Sequence, residues 1–448
     1  MTSLDAIFKA YDVRGIVPDQ LDADLVGKIG AAFAAFAGTD RIVIARDMRP
    51  SGVELAASFA EGAQAQGVDV VDLGLASTDL LFFASGKLDA PGAMLTASHN
   101  PAQYNGIKLC LAGAKPVGEQ SGLTAIKDMV ATGGPAPATK EPGALSQQGL
   151  LADYADHVRG FVDLAALRPL KVVADTANGM GGLVVPAVFN GLPFELDILF
   201  GELDGTFPNH PADPIQPENL KDLQARVLEL GADVGLAFDG DADRVFLVDD
   251  KAQPVSGSLT TAMVADVMLR KHPGSIVLHN LICSKAVPEV IREAGGTPVR
   301  TRVGHSFIKE EMARTGAVFG GEHSGHYYFL DNYRADSGSI AALVILELLS
   351  NSDKPLSELR KPYERYAASR EINTTVDDPL AVIEKVAEAH ADAEQDRMDG
   401  LTVDHGSWWF NLRPSNTEPL LRLNLEAPTA ADVEARVADV LAIVKENA

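Results

Sequence analysis

Three segments of the 448-residue chain repeat one plan, and this repeat restricts the fold more than any other feature. In each segment a β-branched run is followed by a stretch of helical character and then by a second β-branched run. The paired runs are Arg41–Asp47 with Val68–Asp72, Lys171–Asp175 with Phe194–Leu199, and Ser275–His279 with Pro298–Val303. Their starts are 27, 23 and 23 residues apart, which is typical of a strand–helix–strand crossover. The repeat therefore predicts three related α/β domains with mainly parallel, mixed sheets.

A third strand in each segment leads into a loop rich in Gly, Asp or Ser. These strands are predicted at Ala93–His99, Val234–Asp239 and Ala317–Glu322. Ligands of parallel α/β sheets bind beyond the carboxyl ends of the strands. We therefore expect the chemistry of this protein to be carried by these three loops.

The last eighty residues follow a different pattern. The segment Leu420–Leu425 alternates as a half-buried strand, and Thr429 with Asp432 resembles a helix cap. An apolar stripe follows, formed by Val433, Val437, Val440, Leu441 and Val444. We expect a smaller α+β domain here, and therefore four domains with boundaries at 1–150, 151–252, 253–367 and 368–448.

The charge of the chain restricts its partners. Its 38 Lys and Arg residues face 62 Asp and Glu residues, for a net charge of −24, so no broad positive field exists for nucleic acid or an anionic membrane. An anionic ligand then requires the few cations to be concentrated in one place. The amino terminus lacks a signal-peptide pattern, and Cys110 and Cys283 lie too far apart in sequence for a metal knuckle. We expect a cytoplasmic protein without a disulfide framework.

The first loop, Thr96–Pro101, places Ser98 beside His99 at the end of a buried strand, with Lys108 ten residues later. Such a serine is either a nucleophile or phosphate carrier, whose charge His99 and Lys108 would offset, or part of an ordinary turn.

The second loop, Asp239–Arg244, has carboxylates at Asp239, Asp241 and Asp243. Three oxygen ligands predict a hard cation such as Mg²⁺, Mn²⁺ or Ca²⁺. An EF-hand is excluded because Arg244 stands where that loop needs glycine.

The third and fourth loops are richer in hydrogen-bonding groups. Glu322, Ser324 and His326 alternate, so an extended backbone would point all three the same way. A carboxylate and a hydroxyl that face one ligand suit the recognition of sugar hydroxyls. The fourth loop, Arg413–Pro419, offers a guanidinium, hydroxyls and an amide, which suit a phosphate cradle as well as a plain hairpin turn.

The four loops, in this order, resemble the signature loops of the α-D-phosphohexomutase superfamily, and the opening segment Phe8–Gly15 resembles the start of its bacterial phosphomannomutase/phosphoglucomutase members. The resemblance covers essentially the whole chain. It implies four domains around a central cleft and reversible transfer of phosphate between the 6- and 1-positions of a hexose. Mannose is the first expected sugar and glucose the second, with a hexose 1,6-bisphosphate as the intermediate.

The resemblance also implies a role for each site residue. Ser98 would carry the phosphate, and Mg²⁺ would bind between it and Asp239, Asp241 and Asp243. Candidates for proton transfer or charge stabilisation beside Ser98 are Arg14, His99, Lys108 and His326. The implied substrate contacts are Tyr11, Arg244, His305, Glu322, Ser324, His326, Arg413, Ser415, Asn416 and Thr417.

Two positions depart from the family pattern. His323 stands where relatives often carry Met or Gln, and Ile282 stands where some carry a substrate-binding lysine, with Lys285 three residues later. The preferred sugar therefore stays open, and phosphoglucosamine mutase is the nearest alternative. A non-catalytic protein that binds sugar phosphate is the alternative from another class. We expect a sugar phosphate as the partner and either a monomer or a small homo-oligomer.

Overall fold

The computed structural model describes residues 4–139, 141–414 and 420–447, with the side chain of His305 left out. Its strands form four separate sheets that follow one another along the chain. The α/β fold with four domains is thus confirmed. In the described ranges no helix has an apolar stretch long enough to cross a membrane.

The first domain is built on a mixed seven-stranded sheet. Its strands are β1 (Val13–Ile16), β2 (Arg41–Arg46), β3 (Asp69–Leu75), β4 (Gly92–Leu95), β5 (Tyr104–Leu111), β6 (Lys115–Pro116) and β7 (Leu145–Gln147). Its helices are α1 (Leu4–Ile7), α2 (Ala23–Ala37), α3 (Gly52–Ala65), α4 (Thr78–Leu88) and α5 (Leu123–Ala131). The strand order is β1-β5-β4-β2-β3-β7, with β6 paired to β5.

The second domain has a five-stranded sheet in the order β12-β11-β10-β8-β9. Its elements are α6 (Leu151–Arg159), β8 (Lys171–Asp175), α7 (Gly181–Phe189), β9 (Glu195–Leu199), α8 (Lys221–Leu230), β10 (Val234–Phe238), β11 (Val245–Asp249) and β12 (Pro254–Val255).

The third domain has a four-stranded sheet in the order β14-β13-β15-β16. Its elements are α9 (Gly257–Lys271), β13 (Ile276–Asn280), α10 (Ala286–Glu293), β14 (Thr297–Thr301), α11 (His305–Thr315), β15 (Phe319–Gly321), β16 (Tyr327–Phe329), α12 (Gly338–Ser350) and α13 (Leu356–Leu359).

The fourth domain has a six-stranded antiparallel sheet centred on its last strand. Its elements are β17 (Ala367–Ala368), β18 (Ile372–Thr375), α14 (Pro379–Ala389), β19 (Glu394–Asp396), β20 (Leu401–Asp404), β21 (Trp409–Pro414), β22 (Leu420–Ala427) and α15 (Ala430–Glu446). Strand β22 pairs with β17, β18 and β21. The predicted cap is present, because the Thr429 side chain accepts from Asp432 N, and the stripe of α15 buries Val433, Val440 and Val444.

The repeat is visible in the strand pairing. The first strand of each repeat, β2, β8 or β13, is parallel to both later strands of its segment. Each repeat also has a further strand, β5, β11 or β16, which is antiparallel to the third one. The three loops predicted to carry chemistry therefore connect antiparallel neighbours, which fixes both ends of each loop.

A shared apolar core holds the first three domains together. The largest buried cluster contains residues of all three, and α12 contributes almost its entire surface to the interior. The fourth domain has a core of its own, formed by residues between Ala367 and Val444. The first three sheets are therefore fixed relative to one another by packing, whereas the fourth is attached mainly by polar contacts, such as Lys285 Nζ to Asp404 Oδ1 at 2.6 Å.

Candidate active site

Three buried aspartates form the centre of the site. Asp239, Asp241 and Asp243 are at most 1% exposed, and one carboxylate oxygen from each lies within 4.8 Å of the other two. Oδ1 of Asp241 and Oδ1 of Asp243 have no hydrogen-bond partner among the described residues. Buried carboxylate oxygens without donors are costly, and two such oxygens within a group of three carboxylates suit a hard divalent cation. The cluster therefore fits the Mg²⁺ that the sequence resemblance implies.

Two cations flank this cluster. Lys108 Nζ, from the first domain, donates to Asp241 Oδ2 and Asp243 Oδ2 at 2.7 Å each. Burial opposes the charge of this ammonium, but the two carboxylates outweigh that effect and raise its pKa. Arg244 Nε donates to Asp239 Oδ2 at 2.8 Å, yet burial still raises the pKa of Asp239 to about 8. The three carboxylates are thus paired with only two cations, so a further positive charge would be needed to balance them.

Ser98 lies against the same cluster. It follows β4, and its Oγ donates to Asp239 Oδ2 at 2.9 Å. The neighbouring His99 Nδ1 is 3.3 Å from Ser98 Oγ. Burial, assisted by the charge of Arg244, holds the pKa of His99 well below its usual range. His99 is therefore a neutral hydrogen-bond partner of the free Ser98 hydroxyl. That it would offset the charge of a phosphate on Ser98 stays a prediction.

The amino-terminal segment borders the Ser98 loop and the third domain. Arg14 Nη1 donates to Asn100 Oδ1 at 2.6 Å and Nη2 to Asp12 Oδ2 at 2.5 Å. Tyr11 OH donates to the carbonyl of Val303 at 3.1 Å, in the third domain. Burial raises the pKa of Tyr11 to about 12, against the opposing charges of nearby arginines. Arg14 thus stands at the first loop, and Tyr11 joins that region to the third domain.

The third loop differs from the extended segment that the sequence suggested. It is a tight connection between β15 and β16, closed by Gly325 at φ +84°. The turn brings Ser324 Oγ within 3.0 Å of His326 Nδ1 and leaves Glu322 Oε2 at 3.6 Å from the same nitrogen. The three side chains do meet, but through the turn and not through strand alternation.

Glu322 is held by protein donors on both oxygens. Oε1 accepts from Asn280 Nδ2 at 3.2 Å and from Gly304 N at 3.1 Å, and Oε2 accepts from Tyr328 OH at 2.9 Å. Since an ionised carboxylate has about four acceptor positions, one position remains for a ligand hydroxyl. The sequence did not point to Asn280, the last residue of β13, or to Tyr328, which lies in β16.

His326 connects the third loop to the aspartates. Its Nε2 lies 3.8 Å from Asp243 Oδ1 and 3.9 Å from Asp336 Oδ2, and its backbone forms an isolated β-bridge with Arg244. The imidazole is partly exposed, unlike the carboxylates around it. His326 is therefore a partly exposed imidazole at the edge of the aspartate cluster.

The fourth loop is described only in part. Arg413 Nη2 donates to Glu371 Oε2 at 3.0 Å, and the Arg413 Nε is buried with no partner among the described residues. Ser415, Asn416 and Thr417 lie outside the described residues, as does the side chain of His305.

The two unusual positions of the third domain have structural partners. His323 Nδ1 lies 2.9 Å from Ser258 Oγ, and burial lowers the pKa of its imidazole. Lys285 Nζ donates to Asp404 Oδ1 and to the carbonyl of Gly406 at 3.0 Å, both in the fourth domain. Lys285 therefore ties two domains together, while Ile282 is buried.

Family models match four consecutive stretches of the chain. They are described as phosphoglucomutase/phosphomannomutase α/β/α domain I at residues 5–135, domain II at 152–253, domain III at 256–366, and the C-terminal domain at 371–443.

Full-length relatives carry related names. A protein of Xanthomonas campestris named "Phosphohexose mutases" is 41% identical over 97% of this chain and 98% of its own length. A phosphomannomutase of Salmonella typhimurium is 38% identical over 100% of both chains. The solved structure of a phosphoglucomutase/phosphomannomutase family protein from Burkholderia thailandensis superposes with a TM-score of 0.91 at 33% identity, covering 100% of this chain and 99% of that one.

Proposed function

The chain belongs to the phosphoglucomutase/phosphomannomutase family, and we propose that it interconverts hexose 6-phosphate and hexose 1-phosphate through a phosphoserine at Ser98. The observation that carries this proposal is the 2.9 Å contact of Ser98 Oγ with Asp239, inside a three-aspartate cluster that Lys108 and Arg244 flank. Mannose phosphates are the proposed main pair, because relatives named phosphomannomutase match the full chain. Glucose phosphates are the proposed second pair, as in the name of the Pseudomonas syringae relative.

Phosphoryl transfer depends mainly on positioning and on stabilising charge. In the proposed step the bond between Ser98 Oγ and phosphorus breaks, the oxygen keeps its electron pair, and a sugar hydroxyl oxygen bonds to phosphorus. Lys108 and Arg244 supply fixed positive charge to the aspartate cluster that Ser98 Oγ contacts. Asp239, Asp241 and Asp243, together with the group on Ser98, would hold a Mg²⁺ whose charge favours the transfer.

We assign the proton transfer to His326. Lys108 already donates to two carboxylates, which raise its pKa, and a guanidinium such as that of Arg14 does not lose its proton in proteins. His99 is neutral and engaged with Ser98. His326 Nε2 makes no hydrogen bond to a described residue and can take the hydroxyl proton, then return it when Ser98 accepts the other phosphate.

The sugar is proposed to bind across the third and fourth loops. Glu322 and Ser324 would form hydrogen bonds with the 3- and 4-hydroxyls of the sugar. The same cleft would be lined by Tyr11, Arg244, His305 and His326. The phosphate that is not reacting would lie on Arg413, Ser415, Asn416 and Thr417. The hexose 1,6-bisphosphate intermediate must turn around between the two transfers, so this cradle must accept either phosphate of the sugar.

The partner is a sugar phosphate, with neither nucleic acid nor membrane required, and the protein acts in the cytoplasm as a monomer or small homo-oligomer. We propose the domain limits 1–150, 151–252, 253–367 and 368–448.

The test is a direct assay of interconversion by ³¹P NMR. The purified protein, Mg²⁺ and a trace of glucose 1,6-bisphosphate are incubated separately with the 6-phosphates of mannose, glucose and glucosamine. We expect the 1-phosphate to form from mannose 6-phosphate and more slowly from glucose 6-phosphate. Faster conversion of the glucosamine compound would instead assign a phosphoglucosamine mutase. Absence of any 1-phosphate, with binding of the sugars retained, would identify a non-catalytic sugar-phosphate-binding protein.

A further inference from the structure

One arginine that the sequence did not single out binds the backbone of the Ser98 loop at four points. Arg49 follows β2 and is fully buried. Its Nη2 donates to the carbonyls of Ser98 and Asn100 at 2.9 and 2.6 Å, and its Nη1 donates to those of Pro101 and Tyr104 at 2.8 and 2.9 Å. A single guanidinium thus binds almost the full length of the loop.

A carboxylate fixes the guanidinium in turn. Asp47 Oδ2 accepts from Arg49 Nε at 3.1 Å, and Asp47 Oδ1 accepts from the Arg49 backbone N at 2.9 Å. The same Asp47 Oδ2 accepts from Thr96 Oγ1 at 2.7 Å, and Thr96 Oγ1 accepts from Ser98 N at 2.9 Å. The loop is therefore held both through its carbonyls, by Arg49, and through the Ser98 amide, by Thr96.

The second domain covers this arrangement. The ring of Phe207 lies 5.2 Å from the centre of the Arg49 guanidinium, and a Cβ on Gly205 would lie 2.5 Å from Arg49 Cα. Arg49 is thus shielded from water by the domain that also carries the aspartates. Hydrogen bonds in such a site are stronger than hydrogen bonds exposed to solvent.

The backbone at Ser98 needs such support. Ser98 has a φ of +50°, in the left-handed region that a non-glycine residue adopts at a cost. Its carbonyl oxygen approaches Gly240 so closely that a Cβ there would lie 2.4 Å away. The strained conformation turns Ser98 Oγ toward Asp239, and the bond from Arg49 Nη2 to the Ser98 carbonyl holds it there.

We propose that Arg49 is a positioning residue for phosphoryl transfer, which fixes the conformation of the Ser98 loop without touching the reacting atoms. This inference rests on the proposed function of Ser98. Lysine cannot replace Arg49, because its three N–H donors radiate from a single nitrogen and do not span the four carbonyls.

The test compares Arg49→Lys with Arg159→Lys. Arg159 also binds backbone carbonyls, at the end of α7 in the second domain: its Nε donates to Val188 O at 2.8 Å and its Nη2 to Ala187 O and Asn190 O at 2.6 and 2.9 Å. Both variants lose a guanidinium that binds backbone carbonyls, but only Arg49 binds the loop that carries Ser98.

Two measurements are made on each full-length variant. Hexose-phosphate turnover is measured per folded protein, and hydrogen exchange is measured on peptides covering residues 97–105 and 185–192. For Arg49→Lys we expect kcat to fall by about 10²-fold with little change in KM, since a small misplacement of a reacting group costs this much. We also expect faster exchange in the 97–105 peptide only. Arg159→Lys is expected to speed exchange in the 185–192 peptide and to keep kcat.

The outcomes separate this inference from the proposed function. A wild-type kcat in Arg49→Lys, or unchanged exchange in its 97–105 peptide, overturns the positioning role while leaving the mutase proposal intact. If the wild-type protein interconverts no hexose phosphate, the proposed function fails, and the exchange measurement still decides whether Arg49 holds the loop. An equal loss of kcat in both variants means that Arg49 acts only through general stability, which also overturns the inference.

Discussion

Thr78 binds Asp241 twice, once through its backbone and once through its side chain. Thr78 N donates to the Asp241 carbonyl at 3.0 Å, and Thr78 Oγ1 donates to Asp241 Oδ2 at 2.5 Å. Thr78 is the first residue of α4 in the first domain, and Asp241 is the middle aspartate of the second. The first domain therefore sets the orientation of this carboxylate of the second domain. Lys108, also of the first domain, donates to the same oxygen, Asp241 Oδ2.

Replacement of Thr78 by Val is expected to weaken Mg²⁺ binding. Valine keeps the shape and removes the hydroxyl, so Asp241 loses one of its two side-chain donors. Residues that orient metal ligands typically contribute about 10- to 100-fold in affinity. We expect the Mg²⁺ concentration for half-maximal activity to rise about tenfold, measured by titration after treatment with a chelator.

Thr402→Val is the matched control for this variant. Thr402 is a buried threonine of the fourth domain whose Oγ1 accepts from Asn411 Nδ2 at 3.1 Å, far in sequence from the aspartates. Loss of the Thr402 hydroxyl is expected to lower the free energy of unfolding without changing the Mg²⁺ concentration for half-maximal activity. Equal Mg²⁺ requirements in Thr78→Val and the wild-type protein would argue against a cation at this cluster.

The sequence predicts the fold well because its signals are local. The β-branched runs at Lys171–Asp175 and Val234–Phe238 each fill one buried strand, and turn residues bound them. The additional antiparallel strands were not predicted: β11, for example, is as apolar as a parallel core strand, and its direction depends on the tight connection at 239–244. Hydrophobic periodicity does not show whether a buried strand runs parallel or antiparallel to its neighbour.

The candidate site was predictable only for the residues that are proposed to contact the metal ion or the substrate. Ser98 and Asp239 stand in short motifs at the ends of strands, where chemistry is expected. Arg49 and Thr78 act on residues 49 or more positions away, through contacts between loops or between domains. No local pattern reveals such contacts, although Asp47 and Arg49 do follow a strand of the same repeat and lie at the edge where ligands were expected.

Replacement of Ser98 by Ala is expected to remove both the covalent phosphate and most of the turnover. The hydroxyl oxygen that would carry the phosphate is absent, and loss of a nucleophile typically lowers kcat by at least about 10³-fold. The measurement is intact mass after incubation with glucose 1,6-bisphosphate, where the wild-type protein should gain one phosphoryl group.

Ser324→Ala is the control for phosphorylation at Ser98. Ser324 is a second serine of the cleft, 3.0 Å from His326 through its Oγ, and its variant should still gain the phosphoryl group. A Ser98→Ala protein that also gains this mass would place the phosphate elsewhere.

Asp79 is expected to make the stability of the protein depend on pH. Its carboxylate is fully buried where three domains meet, and it accepts hydroxyl hydrogen bonds from Ser77, Tyr154 and Ser337. Burial outweighs these donors and raises the pKa of Asp79 to about 7. The folded protein therefore binds a proton here that the unfolded chain releases near pH 4.

The sign of the effect follows from this difference. Between about pH 4 and pH 7 the folded state binds more protons at Asp79, so its contribution to the free energy of unfolding falls as the pH rises, by roughly 4 kcal/mol in total. Asp79→Asn cannot ionise, and its thermal midpoint should therefore rise relative to wild type between pH 5 and pH 8. Asp153 lies on the exposed face of α6. The thermal midpoint of Asp153→Asn should therefore change with pH in the same way as that of the wild-type protein. A constant difference between Asp79→Asn and wild type across this range would show that Asp79 does not titrate there.

Arg413 is expected to recognise phosphate without regard to its position on the sugar. The guanidinium is fixed by Glu371 at one nitrogen, and its buried Nε has no partner among the described residues. Because the proposed bisphosphate intermediate would have to bind in two orientations, Arg413→Ala should raise KM for hexose 1-phosphate and hexose 6-phosphate by a similar factor. A hydrogen bond to a charged group is typically worth about 1.5–3 kcal/mol, or roughly 10- to 100-fold.

The Arg413→Ala variant should fold, because Glu371 would keep two other partners. Arg422 Nη1 lies 3.7 Å from Glu371 Oε1, and Asn424 Nδ2 donates to Glu371 Oε2 at 3.4 Å. Arg397→Ala serves as the control, since Arg397 lies on the surface of the same domain and pairs with Glu384 at 2.9 Å. The measurement is KM in both directions of the reaction, with Arg397→Ala expected to match wild type. An increase for only one of the two phosphates would mean that Arg413 reads the position of the phosphate, and a single cradle for both orientations of the intermediate would then be wrong.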